Sequence, residues 1–397
     1  MLPQEIGCAQ GGRNRGCGVR QGRYFRIPEN PIDIEQLWGE AELLTAARLP
    51  AWLGPEDSNS YRYLGCTSTA TPAAGDPDGW LSEQTALEAA GLIIDQDPQQ
   101  GSMHRLYIPA PTEDVWSIGI YAGRSPFDVQ APQGVRNPVL TREAVSDVPA
   151  AFVADPFMIE ANGSWHMFFE VMNWRTGKGE IGLAQSHDGF AWTYRQIVLA
   201  EPFHLSYPYV FVWGGGYYMI PESYQAGSIR LYKAENFPTR WSFVAQLLEG
   251  PYLVDPSVFH YDDKWWLFTE TNPEVKHDCL RLYFADELTG PWIEHPKSPI
   301  VKDNAKIARP AGRVLVQGTQ IVRYAQDCSV SYGFQVHAFK ITELTTKNYA
   351  EEKLRSEPIL APSSSGWNAD GMHHIDAHRV IADRWIACVD GRRAPKI

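Results

Sequence analysis

Short runs of apolar residues separated by polar turns recur along the chain, and two of them share one pattern. Residues 154–170 contain Asp155-Pro156, an apolar strand, a polar turn, an aromatic strand and a closing Glu170. Residues 254–270 repeat this order from Asp255-Pro256 to Glu270. Because antiparallel strands return to where they began, each run predicts a β-hairpin with a carboxylate at both open ends. We therefore expect Asp155 to face Glu170, and Asp255 to face Glu270.

Three altered copies of this hairpin complete a repeat. Residues 207–222 place Tyr207 in the Asp position and close on Glu222, residues 309–327 run from Arg309 to Asp327, and residues 376–390 begin at Asp376. A third strand follows each of the first four hairpins, at residues 181–184, 229–232, 280–283 and 336–339. This spacing is typical of four-stranded propeller blades. The fifth hairpin lacks a third strand, and the apolar residues 116–121 supply one from the N-terminal side, which closes the ring. The sequence thus predicts an all-β, five-bladed β-propeller.

The residues before the repeat show a different pattern. Residues 1–22 are rich in Gly and Arg without periodicity, which predicts a disordered N-terminus. Apolar spacing over residues 32–53 and 81–90 predicts short helices, so residues 23–102 are expected to form a partly helical extension. The propeller is then expected over residues 103–397.

Composition narrows the choice of ligand. The formal net charge of -12 argues against nucleic acid and against an anionic membrane surface. The 12% aromatic content includes 14 Trp, which suits both a propeller core and stacking on sugar rings. The expected partner is therefore a carbohydrate.

Cysteines and the N-terminus indicate neither a metal framework nor export. The 6 cysteines show no CxxC spacing, so neither a zinc site nor a disulfide framework is expected. The first residues contain no apolar core of a signal peptide, and no run approaches a membrane span. The default expectation is a cytoplasmic protein without a cofactor, whose oligomeric state is open.

The repeat brings acids together. Equivalent ends of five hairpins converge at one mouth of the propeller axis, so the sequence predicts a ring of carboxylates with Arg309 as a fixed cation. Mutual repulsion should leave some acids protonated and others ionised, which is what glycoside hydrolysis needs. The candidate catalytic residues are Asp155, Asp255, Glu270 and Glu222. The candidate substrate-binding residues are Glu170, His204, Tyr207, Arg309, Asp327, His374 and Asp376. The alternative for each acid is structural: a turn cap before Pro, or a partner for Arg309 or Arg313.

Histidines near the fifth hairpin allow a metal interpretation. Strand alternation would send His374, Asp376 and His378 to one face and His373 to the other, and no second cluster has metal-site spacing. No tight metal site is therefore expected. A weakly bound axial cation near His374, or a His374 that orients a carboxylate, fits the pattern better.

The motifs resemble those of known propellers. The Asp-Pro strand starts, the Ser186-His187-Asp188-Gly189-Phe190-Ala191-Trp192 turn and Thr289-Gly290-Pro291-Trp292 resemble the five-bladed propellers of arabinanases, β-xylosidases and α-L-arabinofuranosidases. Residues 116–349 are similar to the N-terminal propeller domain of plant glucosamine inositolphosphorylceramide transferases and of bacterial relatives that lack the transferase domain. The matching stretches are Ala154-Asp155-Pro156-Phe157, Tyr207-Pro208, Pro221-Glu222-Ser223, Val254-Asp255-Pro256-Ser257 and Ala308-Arg309-Pro310-Ala311-Gly312-Arg313.

The arabinanase resemblance implies an inverting hydrolase with a base Asp in the first blade, a pKa-tuning Asp in the third and an acid Glu in the fourth. Asp155 and Asp255 fit the first two roles. Arg309 stands where that Glu would be, so the acid must come from elsewhere, with Glu270 and Glu222 as candidates.

Three functions follow as hypotheses. The first is a glycoside hydrolase that cleaves a furanoside or related bond. The second is a non-catalytic carbohydrate-binding propeller acting beside a glycosyltransferase. The third is a purely structural interaction propeller, whose signature would be an apolar, acid-free axial cavity.

Overall fold

The structure is a computed structural model that describes residues 61–67, 93–96, 103–109 and 115–394. The chain divides into two compact units, at Met1–Thr112 and Glu113–Ile397. The predicted N-terminal disorder and both predicted helices lie outside the described residues. In the first unit, β1 (Tyr61–Thr67), β2 (Ile93–Gln96) and β3 (Met103–Pro109) form a sheet in the order β1-β3-β2. Because β3 pairs within this sheet, the first propeller strand starts at Val115 rather than at residue 103.

The second unit is a five-bladed propeller of four-stranded antiparallel sheets, as the repeat predicts. The chain first forms β4 (Val115–Ser125) and β5 (Asp128–Gln130). The first blade is β6 (Ala150–Ala161), β7 (Ser164–Asn173), β8 (Lys178–Ser186) and β9 (Thr193–Leu199). The second is β10 (Ser206–Trp213), β11 (Gly216–Glu222), β12 (Ser228–Asn236) and β13 (Arg240–Glu249). The third is β14 (Val254–Tyr261), β15 (Lys264–Glu270), β16 (Leu280–Ala285) and β17 (Ile293–Glu294). The fourth is β18 (Leu315–Gln317), β19 (Gln320–Asp327), β20 (Gln335–Leu344) and β21 (Tyr349–Lys353).

The fifth blade combines both ends of the unit. Strands β22 (Ile375–Ile381) and β23 (Arg384–Arg393) precede β4 and β5 in the sheet order β22-β23-β4-β5. Strand β4 pairs with β23 from Val115↔Arg393 to Gly123↔Trp385. The predicted N-terminal closing strand is confirmed, and β5 adds the outermost strand as well. Ring closure therefore leaves no blade incomplete.

Hydrophobic residues fill the spaces between neighbouring blades. Phe168 of the first blade, Leu231 of the second and Leu267 of the third belong to one buried cluster. A close backbone contact joins the fourth and fifth blades, where Gly312 adopts a φ of 129° and bridges Ile375. A Cβ on Gly312 would lie 1.8 Å from the Ile375 carbonyl oxygen, so only glycine fits there. In the part of the chain that the structure describes, no helix has the length and apolar character needed to span a bilayer.

Candidate functional site

Three innermost strands begin with the same unusual backbone bend. Asp155, Tyr207 and Asp255 have φ angles of 52°, 45° and 49°, in the left-handed region that non-glycine residues avoid. Each lies at a β-bulge and precedes a proline. Such strain persists only where the surrounding structure enforces it, and it concentrates at functional sites. The repeat therefore has a structural equivalent in three blades.

The bulges shift the predicted pairing by one residue. Glu170 pairs with Ala154 and Glu270 with Val254, so Asp155 and Asp255 lie one position beyond their predicted partners. Glu222 pairs with Ser206 in the same way. The correction arises because the left-handed residue is the extra residue of the bulge, which has no partner of its own. The acids nevertheless meet at the open ends of the hairpins.

We call the resulting group the acid cluster: six buried carboxylates around Arg309, from four blades. Its members are Asp155, Glu170, Glu222, Asp255, Glu270 and Asp390. Repulsion is felt throughout the cluster, since the charges of Asp155, Glu222, Asp255 and Asp390 all raise the pKa of Glu170 in addition to the larger effect of burial.

Arg309 holds the centre of the acid cluster. Its Nε donates to Asp255 Oδ2 at 2.7 Å and its Nη2 to Asp255 Oδ1 at 3.3 Å, a bidentate pair. The same Nη2 lies 3.6 Å from Glu222 Oε2, which also accepts the Asp255 backbone N–H at 3.2 Å. Burial raises the pKa of Asp255 to about 7 and raises that of Glu222, although Arg309 acts in the opposite direction on both.

Asp155 lies beside a second cationic group. Its Oδ1 is 3.6 Å from His373 Nε2, and its backbone N–H donates to Asp390 Oδ2 at 3.0 Å. Asp390 also bonds His373 Nδ1 at 2.8 Å. Burial opposes charge on His373 and Asp390, but their attraction outweighs it, so the pKa of His373 is raised and that of Asp390 is lowered. Burial raises the pKa of Asp155 to about 7. Asp390 is thus an ionised member of the cluster.

Glu270 is the acid with a free oxygen. Its side chain is 0% exposed; Oε1 accepts the Asn272 N–H at 2.8 Å, while Oε2 makes no hydrogen bond among the described residues. Burial raises its pKa to about 7. A protonated carboxyl suits this position, because it carries no charge to be desolvated.

Partly exposed aromatic residues border the acid cluster. The Arg309 guanidinium lies 5.0 Å from the centre of the Tyr332 ring, and Tyr332 also contacts His277 and His373, each with ring centres 5.3 Å apart. Tyr224 and Tyr252 pack at 5.5 Å on another side. Aromatic rings therefore contact Arg309 and the histidines that border the acids.

His204 and His277 contact the cluster as neutral groups. His204 Nδ1 accepts the Gly179 N–H at 2.9 Å, and its Nε2 lies 3.5 Å from Glu170 Oε1. His277 Nδ1 lies 3.0 Å from Arg309 Nη1. Burial, with a smaller effect from the charge of Arg309, lowers the pKa of both to about 4. The structure therefore places His204 beside the acids, in the region where the sequence predicts it.

Tyr207 and His374 lie deeper along the axis than the acids. The Tyr207 hydroxyl accepts the Gly312 N–H at 2.7 Å and bonds Ser257 Oγ at 2.8 Å. The rings of Phe157, Tyr207 and His374 meet with centres 4.5–5.2 Å apart. We call these three the aromatic plug. Burial lowers the pKa of His374 to about 4.

Asp376 belongs to a separate pair beyond the plug. It is buried and accepts two bonds from Arg313, at 2.6 Å and 3.2 Å, and one from His378 Nε2 at 2.9 Å. Burial opposes its ionisation, but Arg313 and His378 hold the pKa of Asp376 well below its usual range. Asp376 contacts Arg313 rather than Arg309, because it pairs with Cys388, two residues before the closing Asp390.

Asp327 also lies apart from the cluster. Its carboxylate accepts bonds from Ser329 and Gln335 and is 3.8 Å from His337. The preceding residue, Gln326, contacts the cluster instead, through Nε2 to Asp255 Oδ2 at 3.1 Å. Pro310 bridges Ala325, and the Gln326 N–H donates to the Arg309 carbonyl at 2.8 Å, so Gln326 rather than Asp327 lies opposite Arg309.

A metal ion would find its best donors at Asp155, His373 and Asp390, whose ligand atoms lie within 4.8 Å of one another. His374 Nδ1 is 3.7 Å from Asp155 Oδ1, so the predicted weak cation near His374 would use the same carboxylate. Strand alternation predicts that His373 faces away from His374, but His373 precedes β22, and its ring contacts Asp155 and Asp390.

Sequence reasoning also missed Asp390, Gln326, His277 and Tyr332 as neighbours of the cluster. Asp390 had a signal, since it closes the fifth hairpin as Glu170 closes the first. The other three lie at a non-repeating position or in loops, and no local motif marks them.

Comparisons with known proteins identify relatives. The family model "Glucosamine inositolphosphorylceramide transferase 1, N-terminal" matches residues 110–392. Glucosamine inositolphosphorylceramide transferase 1 of Oryza sativa subsp. japonica is 35% identical over 303 residues, which are 71% of this chain and 41% of that protein. The protein of the same name from Arabidopsis thaliana is 33% identical over 301 residues, covering 71% and 39%. The chain thus spans about two-fifths of the length of these curated relatives.

Solved structures similar to the chain include propeller glycoside hydrolases. The catalytic domain of Coprinopsis cinerea GH62 alpha-L-arabinofuranosidase aligns with a TM-score of 0.46 at 11% identity, over 60% of this chain and 90% of that one. Cellvibrio cellulosa alpha-L-arabinanase complexed with arabinohexaose aligns with a TM-score of 0.41 at 13% identity, over 60% and 94%. On the match to residues 110–392, the chain belongs to the family of glucosamine inositolphosphorylceramide transferase 1 N-terminal domains.

Proposed function

We propose that the chain is a glycoside hydrolase whose reaction takes place at the acid cluster. The observation that carries this is the imbalance of charge: six buried carboxylates share one arginine and one imidazolium, Arg309 and His373. The cluster therefore holds protonated and ionised acids side by side near neutral pH. Glycoside hydrolysis requires that division, one group to protonate the leaving oxygen and one to activate water.

Glu270 is the candidate general acid. Of the two glutamates that the sequence offers, Glu222 is 3.6 Å from Arg309 and accepts the Asp255 N–H, and both contacts favour its ionised form. Glu270 Oε2 has no such partner, and its pKa of about 7 keeps a transferable proton at neutral pH. A proton on Oε2 has no competing hydrogen-bond acceptor among the described residues.

Asp155 is the candidate general base. The His373 imidazolium 3.6 Å away favours its ionised form, and a pKa of about 7 suits a base working near neutral pH. Asp255 cannot serve as readily, because Arg309 binds both of its oxygens. Its role is to tune the pKa values of its neighbours through charge. The partly exposed Tyr252 and Tyr332 would stack on the sugar.

Hydrolysis of a panel of aryl furanosides and pyranosides tests this proposal. We expect the wild type to turn over at least one sugar, and Asp155→Asn or Glu270→Gln to lower kcat by about 100- to 10,000-fold, the usual contribution of a general acid or base. Asp327→Asn is the matched control, because Asp327 lies outside the acid cluster. Undiminished hydrolysis by Asp155→Asn would sink the proposal.

A second candidate function is supported by the relatives. They are named transferases and are more than twice as long as the matched segment, so the propeller accompanies further chain there. In that case the acid cluster binds sugar hydroxyls beside a glycosyltransferase without cleaving. This candidate predicts saturable sugar binding that Asp155→Asn weakens, with no product released. Turnover by the isolated chain would exclude it.

A further inference from the structure

A concave surface lies at the end of the propeller axis opposite the acid cluster. The inner hairpins turn there, and their turns surround a cavity of about 720 Å³, which we call the turn-side cavity. In each inner strand the chain passes from the acid cluster through the level of the plug to this cavity. Asp255 is followed by Ser257 and then by Val258 and His260, and Arg309 is followed by Gly312 and then by Arg313. The two ends are thus separate surfaces.

The wall of the turn-side cavity is aromatic and partly exposed. Trp213 is 42% exposed, although it is a large apolar ring. His260 and Trp265 support it from behind, each with its ring centre 4.7 Å from that of Trp213. Val212, Val316, Val380 and Ile381 are exposed around the same turns. Exposed apolar groups concentrated around a concavity mark a binding surface.

Most side chains that line the cavity are apolar, but one part, which we call the floor, is formed by two polar side chains. Arg313 and His378 line it, and both are fixed by bonds to the buried Asp376. An acyl chain on this floor would remove water from an ion pair and return no hydrogen bond, which is unfavourable. An anion would find Arg313 already neutralised by Asp376. A sugar satisfies both surfaces, because its C–H face stacks on an aromatic ring while its hydroxyls exchange hydrogen bonds with fixed polar groups.

We propose that the turn-side cavity is a second, non-catalytic binding site for a neutral oligosaccharide, with Trp213 as its stacking platform and Arg313, His378 and the exposed Gln317 as its polar contacts. The volume lies within the range of small-ligand sites, which is about 300–1,000 Å³. The site is distinct from the acid cluster and does not depend on hydrolysis there.

Calorimetric titration with cellotriose, xylotriose and arabinotriose tests the site. We expect at least one trisaccharide to bind the wild type saturably, and Trp213→Ala to weaken it by about tenfold. Phe243→Ala is the matched control, since Phe243 is 49% exposed on an outer strand of the same blade and does not line the cavity. Asp155→Asn, at the other end, should keep the binding event that Trp213→Ala weakens, whereas a separate binding event lost only in Asp155→Asn belongs to the acid cluster.

Three outcomes would overturn the site: no binding of any of the three sugars, wild-type affinity in Trp213→Ala, or a single binding event that is lost in Asp155→Asn but kept in Trp213→Ala. If circular dichroism shows that Trp213→Ala does not fold, Trp213→Phe and Gln317→Ala provide the test. We expect a partial loss of affinity in Trp213→Phe and a clear loss in Gln317→Ala. The titration measures binding alone, so a chain that hydrolyses nothing leaves this result readable.

Discussion

The two ends of the propeller axis are built from the same inner strands and carry opposite chemistry. At the strand starts, six acids compete for Arg309 and His373, and all six are buried. Next to the turn-side cavity, the buried Asp376 is matched by Arg313 and His378, and the Trp213 ring is exposed. One repeated hairpin can therefore place incompletely neutralised acids at one end of the axis and an open surface with paired charges at the other.

The difference originates in the backbone. Bulges at Asp155, Tyr207 and Asp255 bend the strand starts inward and bring side chains from different blades into contact. At the other end, the turns of the inner hairpins surround the turn-side cavity. The aromatic plug lies between the two ends and keeps them separate.

Removal of Arg309 is expected to have the largest effect on stability. Arg309→Met leaves Asp255 and Glu222 buried without their cation, and such losses cost about 3–5 kcal/mol. Urea unfolding at pH 8 measures this free energy. The cost should shrink at pH 5, where the acids protonate and no longer need the cation.

Arg313→Met is the matched variant at the other end. It leaves only Asp376, which retains hydrogen bonds from His378 and from the Met158 backbone N–H. We expect a smaller loss than for Arg309→Met. An equal or larger loss would contradict the asymmetry between the two ends.

The next effect is a pH dependence confined to the acid end. Glu270 has a folded pKa of about 7, above its ordinary value of 4.5, so its contribution to stability is complete below pH 4.5 and is lost as the pH rises through 7. Glu270→Gln mimics the protonated form, so its free energy of unfolding does not fall in this way as the pH rises. As the pH rises from 5 to 7, the free energy of unfolding of the variant should increase by about 2 kcal/mol relative to that of the wild type. Urea unfolding measures this difference. A constant difference across this range would show that Glu270 ionises normally.

The smallest effect concerns the plug. Tyr207→Phe leaves the buried Gly312 N–H without the hydroxyl that accepts it, at a cost of about 1–2 kcal/mol. Because Tyr207 does not titrate in this range, the cost should be the same at pH 5 and pH 8, as measured by thermal unfolding. Tyr217→Phe, whose ring stacks on Phe237, is the control and should cost less. A pH-dependent cost for Tyr207→Phe would mean that the plug is coupled to the acid cluster.

Much of the fold could be predicted from the sequence, because the hairpin repeats visibly. Five copies between residues 154 and 390 predict the blades, and the leftover third strand at residues 116–121 predicts closure. The one-residue bulges could not be predicted from apolar spacing, because an extra residue at the strand start leaves the alternation of the rest of the strand unchanged. The same limit explains why Gln326 replaces Asp327.

The candidate site was predicted less completely. The clustering of Asp155, Glu222 and Asp255 follows from the repeat, whereas the inward position of His373 depends on a segment before β22 that strand alternation does not govern. The turn-side cavity has no motif either. Its Trp213 stands beside a Gly-rich turn, and a turn signal says nothing about what surrounds it.

The fifth blade is built from both ends of the unit, which determines when the ring can close during synthesis. Val115 pairs with Arg393, and residues 116–392 lie between them in the sequence. At about 5–20 residues per second, β4 leaves the ribosome roughly 14–56 seconds before its partner. During that interval its apolar side chains, Trp116, Ile118 and Ile120, have no β23 to cover them. The ring can close only after β23 has been synthesised. Until then, the edge of β4 that pairs with β23 is open, and this apolar strand can aggregate.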